Sequence, residues 1–270
     1  WSRGLGDVYK RQSKICAYAA ENNKPEDITS NVIEIIEERG NNPIQDTGLI
    51  SPYQNFNRLY GGIRPGNIYA WVSRPKHGKS TILNDLAIKI TTLNKGCRAL
   101  VLDTEMSTID MKFRIASSLT GIPVWYLETG NWKKNASLFQ KFEESKSKIR
   151  SLSNQVDHLQ VAGKPIEEVV SIVKRWYFSK VGRGNQCVIV YDYIKLTGES
   201  DKNKQEYQLI GEKVNALKEL CSELNIPILT ACQLNRSAES GVDDSSAISQ
   251  SDRLQWLSLI HISEPTRPER

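Results

Sequence analysis

Stretches of apolar residues alternate along the chain with stretches in which apolar residues recur every three or four positions. The apolar runs predict buried strands, and the wider spacing predicts helices with one apolar side. Strands are predicted at 68–72, 97–105, 157–163, 187–194 and 227–234. Helices are predicted at 79–94, from 107 onwards, at about 135–151, at 165–180 and at 205–224. This alternation predicts an α/β domain with a mostly parallel sheet covered by helices on both faces.

Polar and glycine-containing segments mark the expected ends of these elements. The pair Gly61-Gly62 is predicted to end a short helix that carries Phe56 and Leu59. The sequence STID (107–110) is a capping box, which predicts the start of a helix. The residues expected to face inwards from that helix are Ile109, Phe113, Ala116 and Leu119.

The N-terminal part of the chain carries one further predicted helix. In TSNVIEIIEERG (29–40), Ser30 is the expected N-cap and Gly40 the expected stop. The apolar side of this helix consists of Val32, Ile33, Ile35 and Ile36. Residues 41–48 are predicted to be a linker, so that 13–50 forms a helical linker region.

The composition is that of an ordinary globular chain. Its 270 residues are 39% hydrophobic and 25% charged, with a formal net charge of +5. We find no apolar run near the roughly 18 residues that a membrane span needs, so we expect a cytoplasmic protein that does not bind membranes. The mild positive charge permits a nucleic-acid partner without indicating one.

Cysteine and histidine give no pattern of a metal site. The five cysteines (Cys16, Cys97, Cys187, Cys221 and Cys232) include no C-x-x-C pair, and most lie in apolar or helical segments. We expect buried free thiols in a reducing cytosol. The three histidines (His77, His158 and His261) lie far apart in the sequence, which argues against a structural zinc site.

Both ends of the chain resemble translated sequencing-adapter DNA. Residues 1–12 read WSRGLGDVYKRQ, and residues 257–270 read LSLIHISEPTRPER. We expect both segments to be non-native, with disordered natural termini as the alternative. The natural interior is then expected to be a fragment cut at both ends.

The segment SRPKHGKST (73–81) fits the phosphate-binding pattern G-x-x-x-x-G-K-[ST], except that serine replaces the first glycine. It lies between a predicted strand and a predicted helix, and a helix start binds phosphate through its N–H groups and its dipole. The candidate residues are Ser73, Arg74, Pro75, Lys76, His77, Gly78, Lys79, Ser80 and Thr81. Lys79 is expected to contact the β and γ phosphates and Ser80 to bind Mg²⁺. An ordinary polar turn is the alternative.

Three other predicted strands end in polar side chains. Asp192 follows the apolar run VIVY and is a candidate for the magnesium shell. Glu105 and Asp103 both lie at the end of the predicted strand 97–105, and either could activate the attacking water. Strand alternation directs both to the same side, so spacing does not separate them. Gln233 could hydrogen-bond the γ-phosphate, or it could be a polar strand end without a role.

Five sequence blocks then resemble one family. GGIRPG, SRPKHGKST, LDTEMS, VIVYDYIKL and ACQLNRS occur in the order found in the ATPase domain of DnaB-type hexameric replicative helicases. The similarity covers roughly residues 51–254 and is typical of a divergent, phage-like member. It implies a RecA-like P-loop ATPase fold over 51–256, incomplete at its C-terminal end. That family often has a small residue other than glycine before Arg-Pro, so Ser73 does not disable the loop.

The resemblance also implies roles for individual residues. It favours Glu105 over Asp103 as the catalytic base, with Lys79 on phosphate, Ser80 and Asp192 on magnesium and Gln233 as a sensor of the ATP state. It implies ATP and Mg²⁺ as cofactors, a hexameric ring, single-stranded DNA as partner, and a primase or helicase loader as a further partner. Lys202, Lys204 and Arg236 lie in loops implied to bind DNA, with merely solvated loops as the alternative.

Two departures from the family pattern are expected to matter. After about Trp256 the family's next strand and the segment that supplies its arginine finger are missing, so the chain alone is expected to hydrolyse ATP poorly. The family's N-terminal helical domain is also missing. The helix at 30–39 is either the linker helix that docks on an adjacent protomer or an ordinary surface helix.

Two other functions remain open on the sequence alone. One is a RecA-like ATPase that does not unwind DNA, such as a RadA- or KaiC-type regulatory ATPase. The other is a scaffold protein that holds ATP without turnover. The Glu-Met pair of LDTEMS and the block ACQLNRS argue against the first, and a water-activating Glu105 argues against the second.

Overall fold

The computed structural model describes residues 27–44, 47–73, 77–194, 206–233 and 258–261. The chain divides into two compact units, residues 1–45 and 46–270. In the first unit, the described residues form a turn followed by helix α1 (Val32–Asn41).

The second unit alternates strands and helices. Its strands are β1 (Ile68–Ser73), β2 (Arg98–Asp103), β3 (Val156–Gln160), β4 (Cys187–Asp192), β5 (Ile228–Gln233) and β6 (Ser258–His261). Its helices are α2 (Gln54–Tyr60), α3 (Lys79–Leu93), α4 (Thr108–Thr120), α5 (Val124–Thr129), α6 (Ala136–Ser151), α7 (Ile166–Trp176) and α8 (Glu206–Leu224). A 3₁₀ turn (Asn131–Lys134) precedes α6, and a π-helical turn (Tyr177–Val181) extends α7.

Within the described residues the strands form one six-stranded sheet in the order β3-β2-β4-β5-β1-β6. Every neighbouring pair is parallel. The predicted parallel sheet is therefore confirmed. Because the strands run the same way, the carboxyl ends of β1, β2, β4 and β5 lie along one edge of the sheet.

Two apolar layers cover the sheet, one on each face. On one face, alternate strand residues such as Ile189 and Tyr191 pack with Val173 of α7 and Leu217 of α8. On the other face, the intervening residues, such as Val190, join a cluster that includes α3. Burial on both faces explains why the strand sequences are continuous apolar runs. Helices on both faces were predicted and are confirmed.

Helix α3 is tied at its C-terminal end to the segment before α2. The buried Asn94 side chain donates from Nδ2 to the Ile50 carbonyl and accepts at Oδ1 from the Ile50 N–H, each at 2.9 Å. The same Nδ2 also donates to the Ile90 carbonyl at 2.8 Å. One amide side chain thus joins a strand-like segment to the end of the helix that begins at the phosphate loop.

Several element boundaries differ from those predicted. Strand β2 ends at Asp103, two residues earlier than expected, and α5 was not predicted. The capping box is confirmed, because Ser107 Oγ accepts from the Asp110 N–H. Ile109 was expected to face inwards but is 57% exposed, and Met111 is the buried residue of that turn at 1%.

The start of α1 also differs from the prediction. The N-cap is Asn31, in a left-handed conformation, and the Ser30 hydroxyl instead donates to the Asp27 carbonyl at 2.8 Å. Gly40 lies inside the helix rather than after it. The four apolar side chains of this helix are exposed: Val32 (40%), Ile33 (70%), Ile35 (62%) and Ile36 (64%).

A strand was not expected after Trp256, yet Ser258–His261 pairs with β1 as strand β6, in register from Tyr69↔Ser258 to Val72↔His261. The expectation that no strand follows was wrong. Ladder hydrogen bonds use main-chain groups, so the open edge of β1 accepts a strand largely irrespective of its sequence. That residues 257–270 are non-native stays a prediction.

The thiols of Cys97, Cys187, Cys221 and Cys232 are free and buried, as predicted. Burial raises the pKa of each of these thiols to about 12. Cys16 lies outside the described residues. Among the helices of the described segments, we find none with the length and apolar character to cross a membrane.

The block GGIRPG has a structural part in the fold. Leu49 and Ile63 exchange backbone hydrogen bonds of 2.9 and 2.8 Å as an antiparallel bridge. Gly62, beside this bridge, has φ of +80°, and a Cβ atom there would lie 2.6 Å from the Leu49 carbonyl oxygen. The crossing of the two segments therefore requires glycine at this position.

We expect Gly62→Ala to lower the free energy of unfolding by about 3 kcal/mol, the sum of left-handed strain and overpacking. Gly96→Ala is the matched control, because Gly96 has φ of +83° but no atom within 4 Å of the added Cβ. The control should lose only the strain component, about 1 kcal/mol. Urea unfolding measures both, and equal losses in the two variants would contradict the steric argument.

Candidate functional site

Polar residues from four strands meet at the carboxyl edge of the sheet. Asp103 of β2 pairs in register with Asp192 of β4, and Ser73 of β1 pairs in register with Gln233 of β5. Because β4 and β5 are neighbours, these two pairs lie side by side along the same edge. The sequence predicted that strand-end residues would converge here, and the parallel ladder brings their backbones together.

The segment after β1 turns into helix α3 at Gly78. Gly78 adopts φ of +79°, and α3 begins at Lys79. No atom of the described residues lies within 4 Å of the position that a Cβ of Gly78 would occupy. The first turn of α3 consists of Lys79, Ser80 and Thr81 and contains no acidic residue. Its N–H groups and the positive end of the helix dipole therefore face a space that suits an anion. Arg74, Pro75 and Lys76 lie outside the described residues.

Lys79 is half-buried at the head of this helix. Its Nζ lies 5.3 Å from the centre of the Tyr193 ring, within the range of a cation–π contact. Burial lowers the pKa of Lys79, while the negative charges of Asp192 and Glu105 act in the opposite direction. The ammonium group thus lies near the Tyr193 ring at the start of α3, in the electric field of two carboxylates.

Asp192 is a buried carboxylate, only 2% exposed. The Ser80 hydroxyl hydrogen-bonds to it, and its Oδ1 is buried without a hydrogen-bond partner among the described residues. Burial, with the charges of Asp103 and Glu105, raises the pKa of Asp192 to about 6, against the opposing effects of Ser80 and Lys79. A buried carboxylate oxygen that lacks a partner is suited to a cation or to the water bound to one.

Asp103 and Glu105 differ in surroundings, although strand alternation directed both to the same side. Asp103 ends β2 and is 1% exposed, whereas Glu105 lies beyond the strand and is exposed. Asp103 Oδ1 accepts hydrogen bonds from the N–H groups of Glu105 and Met106, each at 2.6 Å. Those two amides are thereby diverted from the strand ladder, which is why β2 ends early. The expectation that the strand continues to Glu105 was wrong.

Further bonds fix the turn that carries Glu105. The Thr104 N–H and hydroxyl both donate to the Asp192 carbonyl, at 2.9 and 3.1 Å. Gln160, at the end of β3, donates from Nε2 to the Glu105 carbonyl at 3.3 Å. The backbone around Glu105 is therefore held to both neighbouring strands.

The structure does not describe every predicted site residue. Lys202, Lys204 and Arg236 lie outside the described segments, and Gln233 is described only in its backbone, at the end of β5. The predictions did not include three contacts, namely the two amides on Asp103, the Gln160 bond and the Tyr193 ring near Lys79. An Asp two residues before Glu105 is a known turn signal and could have indicated the first. The other two depend on tertiary structure.

The described residues fit a nucleotide with its magnesium ion. Three observations on the described residues favour the fit. None of their atoms lies near the Cβ position of Gly78, the first turn of α3 has no acidic residue, and the Asp192 oxygen next to the Ser80 hydroxyl has no partner among them. A hydroxyl and a carboxylate are oxygen ligands of the kind that Mg²⁺ prefers, and Mg²⁺ often keeps only one or two protein ligands beside phosphate and water.

Comparisons with known proteins agree with this arrangement. A family model described as "DnaB-like helicase C terminal domain" matches residues 48–252. The replicative DNA helicase DnaB of Helicobacter pylori is 25% identical over 214 residues, 77% of this chain and 41% of that protein. DnaB of Buchnera aphidicola subsp. Baizongia pistaciae is 27% identical over 245 residues, 86% of this chain and 50% of that protein. The chain thus spans about half the length, or less, of these relatives.

Solved structures give the same fold. The ATPase domain of G40P superposes with a TM-score of 0.73 at 16% identity, covering 86% of this chain and 81% of that one. A DnaB-like replicative helicase, studied with its interactions with primase, superposes with a TM-score of 0.72 at 18% identity, covering 92% and 59%. These likenesses confirm the predicted RecA-like ATPase fold.

The raised pKa of Asp192 predicts a pH-dependent stability. Between its ordinary value of 3.8 and about 6, the folded chain keeps a proton that the unfolded chain has released. The free energy of unfolding should therefore fall as pH rises through this window, by about 3 kcal/mol in total, and then level off.

Urea unfolding between pH 3.5 and 7.5, without nucleotide or magnesium, measures this contribution as the difference between wild type and Asp192→Asn. The variant has no carboxyl group at this position, so its advantage over wild type should grow up to about pH 6. Parallel pH curves for the two proteins would show that the carboxyl pKa is not raised by folding.

Proposed function

Because the chain belongs to the DnaB-like helicase C-terminal domain family, we propose that it hydrolyses ATP to move along single-stranded DNA and to separate the strands of a duplex. The observation that carries this proposal is the family match over residues 48–252, within which Lys79, Ser80 and Asp192 interact at one edge of the sheet. The sequence predicted the same function.

In this proposal, the phosphate groups of ATP bind at the start of α3. Lys79 neutralises phosphate charge, and the N–H groups of the first helical turn donate to phosphate oxygens. The Ser80 hydroxyl and the Asp192 carboxylate hold the magnesium ion and its water shell. When bound, magnesium–ATP supplies an activated phosphoryl group whose charge the ion partly neutralises. The hydrogen bond of Ser80 with Asp192 and the electrostatic interaction of Lys79 with Asp192 support these roles.

Glu105 is the general base of the proposed reaction. Its side chain is exposed at the carboxyl edge of the sheet, where it can orient a water molecule and accept its proton. Asp103 is less suited to this role, because its carboxylate is buried and already accepts two backbone N–H groups. This difference supports the choice that the family resemblance implied.

The remaining elements of the proposal concern DNA and assembly. Gln233 would report the state of the γ-phosphate, and Lys202, Lys204 and Arg236 would contact the phosphates of single-stranded DNA. We propose a hexameric ring in the cytoplasm that acts with a primase or a helicase loader. The exposed apolar side of α1 supports a role for this helix as a docking segment on an adjacent protomer.

We expect single-stranded DNA to stimulate ATP hydrolysis by this chain once the family's C-terminal arginine-finger segment is restored, and Glu105→Gln to lower kcat by about 10²-fold or more through loss of the base. Glutamine keeps the size of the side chain, so the affinity for ATP should stay close to that of wild type. Phosphate release with and without an oligonucleotide, together with titration of a fluorescent ATP analogue, measures both quantities.

Glu144→Gln is the matched control for that substitution, because Glu144 is exposed on α6 and pairs with Gln140. It should hydrolyse ATP like wild type. Turnover that does not respond to DNA would favour a regulatory RecA-like ATPase. Nucleotide binding without turnover would favour a scaffold protein.

Strand separation is a distinct prediction, since a RecA-like ATPase can respond to DNA without unwinding it. A forked duplex with one labelled strand should be separated when ATP and Mg²⁺ are present, and not when ATP is replaced by a slowly hydrolysed analogue. Stimulated hydrolysis without strand separation would contradict the helicase proposal and leave the ATPase in place.

A further inference from the structure

We infer that Asp103 is a positioning residue for the proposed reaction, because its buried carboxylate fixes the backbone from which Glu105 projects. This inference rests on the proposed function. On the sequence alone, Asp103 was an alternative to Glu105 as the catalytic base. The inference gives Asp103 a different role.

The hydrogen bonds of Asp103 point to this role. Its Oδ1 accepts from two successive N–H groups, those of Glu105 and Met106, both at 2.6 Å. Such short bonds to a charged acceptor are stronger than those between neutral groups. One oxygen atom therefore sets the direction in which the chain leaves β2, and with it the position of the Glu105 Cα atom.

The burial of Asp103 makes this arrangement rigid. The side chain is 1% exposed, so water does not compete for its oxygens, and a buried acceptor that loses its donors costs about 1–3 kcal/mol. Two other contacts complete the support, from Gln160 to the Glu105 carbonyl and from Thr104 to the Asp192 carbonyl. The same turn thus fixes Glu105 relative to the strand that carries Asp192.

The position of Glu105 matters because a base acts only within hydrogen-bond reach of its water molecule. A displacement of about 1 Å of a catalytic group can lower the rate about 10²-fold. Nucleotide affinity, by contrast, depends on α3 and the phosphate loop, to which Asp103 makes none of the hydrogen bonds described above. The effect of the Asp103 charge on Asp192 is lost equally in alanine and asparagine variants, so the comparison between them isolates the hydrogen bonds. A positioning role therefore predicts a fall in kcat with little change in the KM for ATP.

The test compares Asp103→Ala with Asp103→Asn in DNA-stimulated ATP hydrolysis by the chain with the family's C-terminal segment restored. Alanine removes the acceptor, and kcat should fall about 10- to 100-fold while the KM for ATP stays within about twofold. Asparagine keeps an oxygen that can accept from both N–H groups, so it should restore kcat to within about threefold of wild type. Hydrogen exchange should show that the Glu105 and Met106 amides lose protection in the alanine variant and keep it in the asparagine variant.

The matched control is Asn135→Ala, which removes the side-chain cap of α6, where Asn135 Oδ1 accepts from the Leu138 N–H at 3.2 Å. It costs about 1 kcal/mol of stability but should leave kcat unchanged. If Asp103→Ala does not fold, Asp103→Ser takes its place, since its shorter side chain should support at most one of the two bonds and give an intermediate kcat.

The outcomes separate the inference from the function on which it rests. Two outcomes would overturn the positioning role alone, provided that the wild type hydrolyses ATP. In one, kcat of Asp103→Ala equals that of wild type; in the other, Asp103→Ala and Asp103→Asn lose kcat equally. A wild-type chain with the C-terminal segment restored that binds ATP but does not hydrolyse it would overturn the proposed function, and the inference with it.

Discussion

Two buried carboxylates at the ends of neighbouring strands constrain the rest of the site. Asp103 and Asp192 are 1% and 2% exposed and lie opposite each other in the ladder between β2 and β4. Like charges buried together repel and lose hydration, so each needs compensating groups nearby. Asp103 has two backbone amides, and Asp192 has the Ser80 hydroxyl and the Lys79 charge. The amides of the turn after β2 compensate the charge of Asp103, and the first residues of α3 compensate that of Asp192. Both segments are therefore placed at this edge of the sheet by their interactions with the two carboxylates.

Local sequence signals indicate several of the residues that the structure brings to this edge of the sheet. Lys79 and Ser80 belong to a loop motif with fixed spacing, and Asp192 ends an apolar run. All three could therefore be identified as candidates from the residues next to them in the sequence. The end of β2 could not be read in this way, because the alternation continues through Glu105. Only the hydrogen bonds that the Glu105 and Met106 N–H groups donate to Asp103 show where the ladder stops. Ile109 fits a helical apolar pattern, yet it is exposed because α4 packs through Met111. Periodicity indicates that a helix has an apolar side but not which neighbour covers it.

The edge of the sheet beside β1 shows a different limit of sequence patterns. No strand was predicted at residues 258–261, since the segment around them resembles translated adapter DNA. These residues nevertheless pair with β1 over four positions. Strand addition of this kind depends on unpaired main-chain groups and tolerates many side chains. Pairing at this edge therefore does not show whether the segment 257–270 is native.

The hydrogen bonds of the Asn94 side chain connect α3 to the backbone at Ile50, in addition to the contribution of α3 to the phosphate loop. This helix has 15 residues and is about 22 Å long, with Lys79 at one end. At the other end, two hydrogen bonds join the Asn94 side chain to the backbone of Ile50, which lies a few residues after the start of the second unit at Asp46. A displacement of the phosphate-loop end of α3 along the helix axis would therefore reach the backbone at Ile50 through these hydrogen bonds.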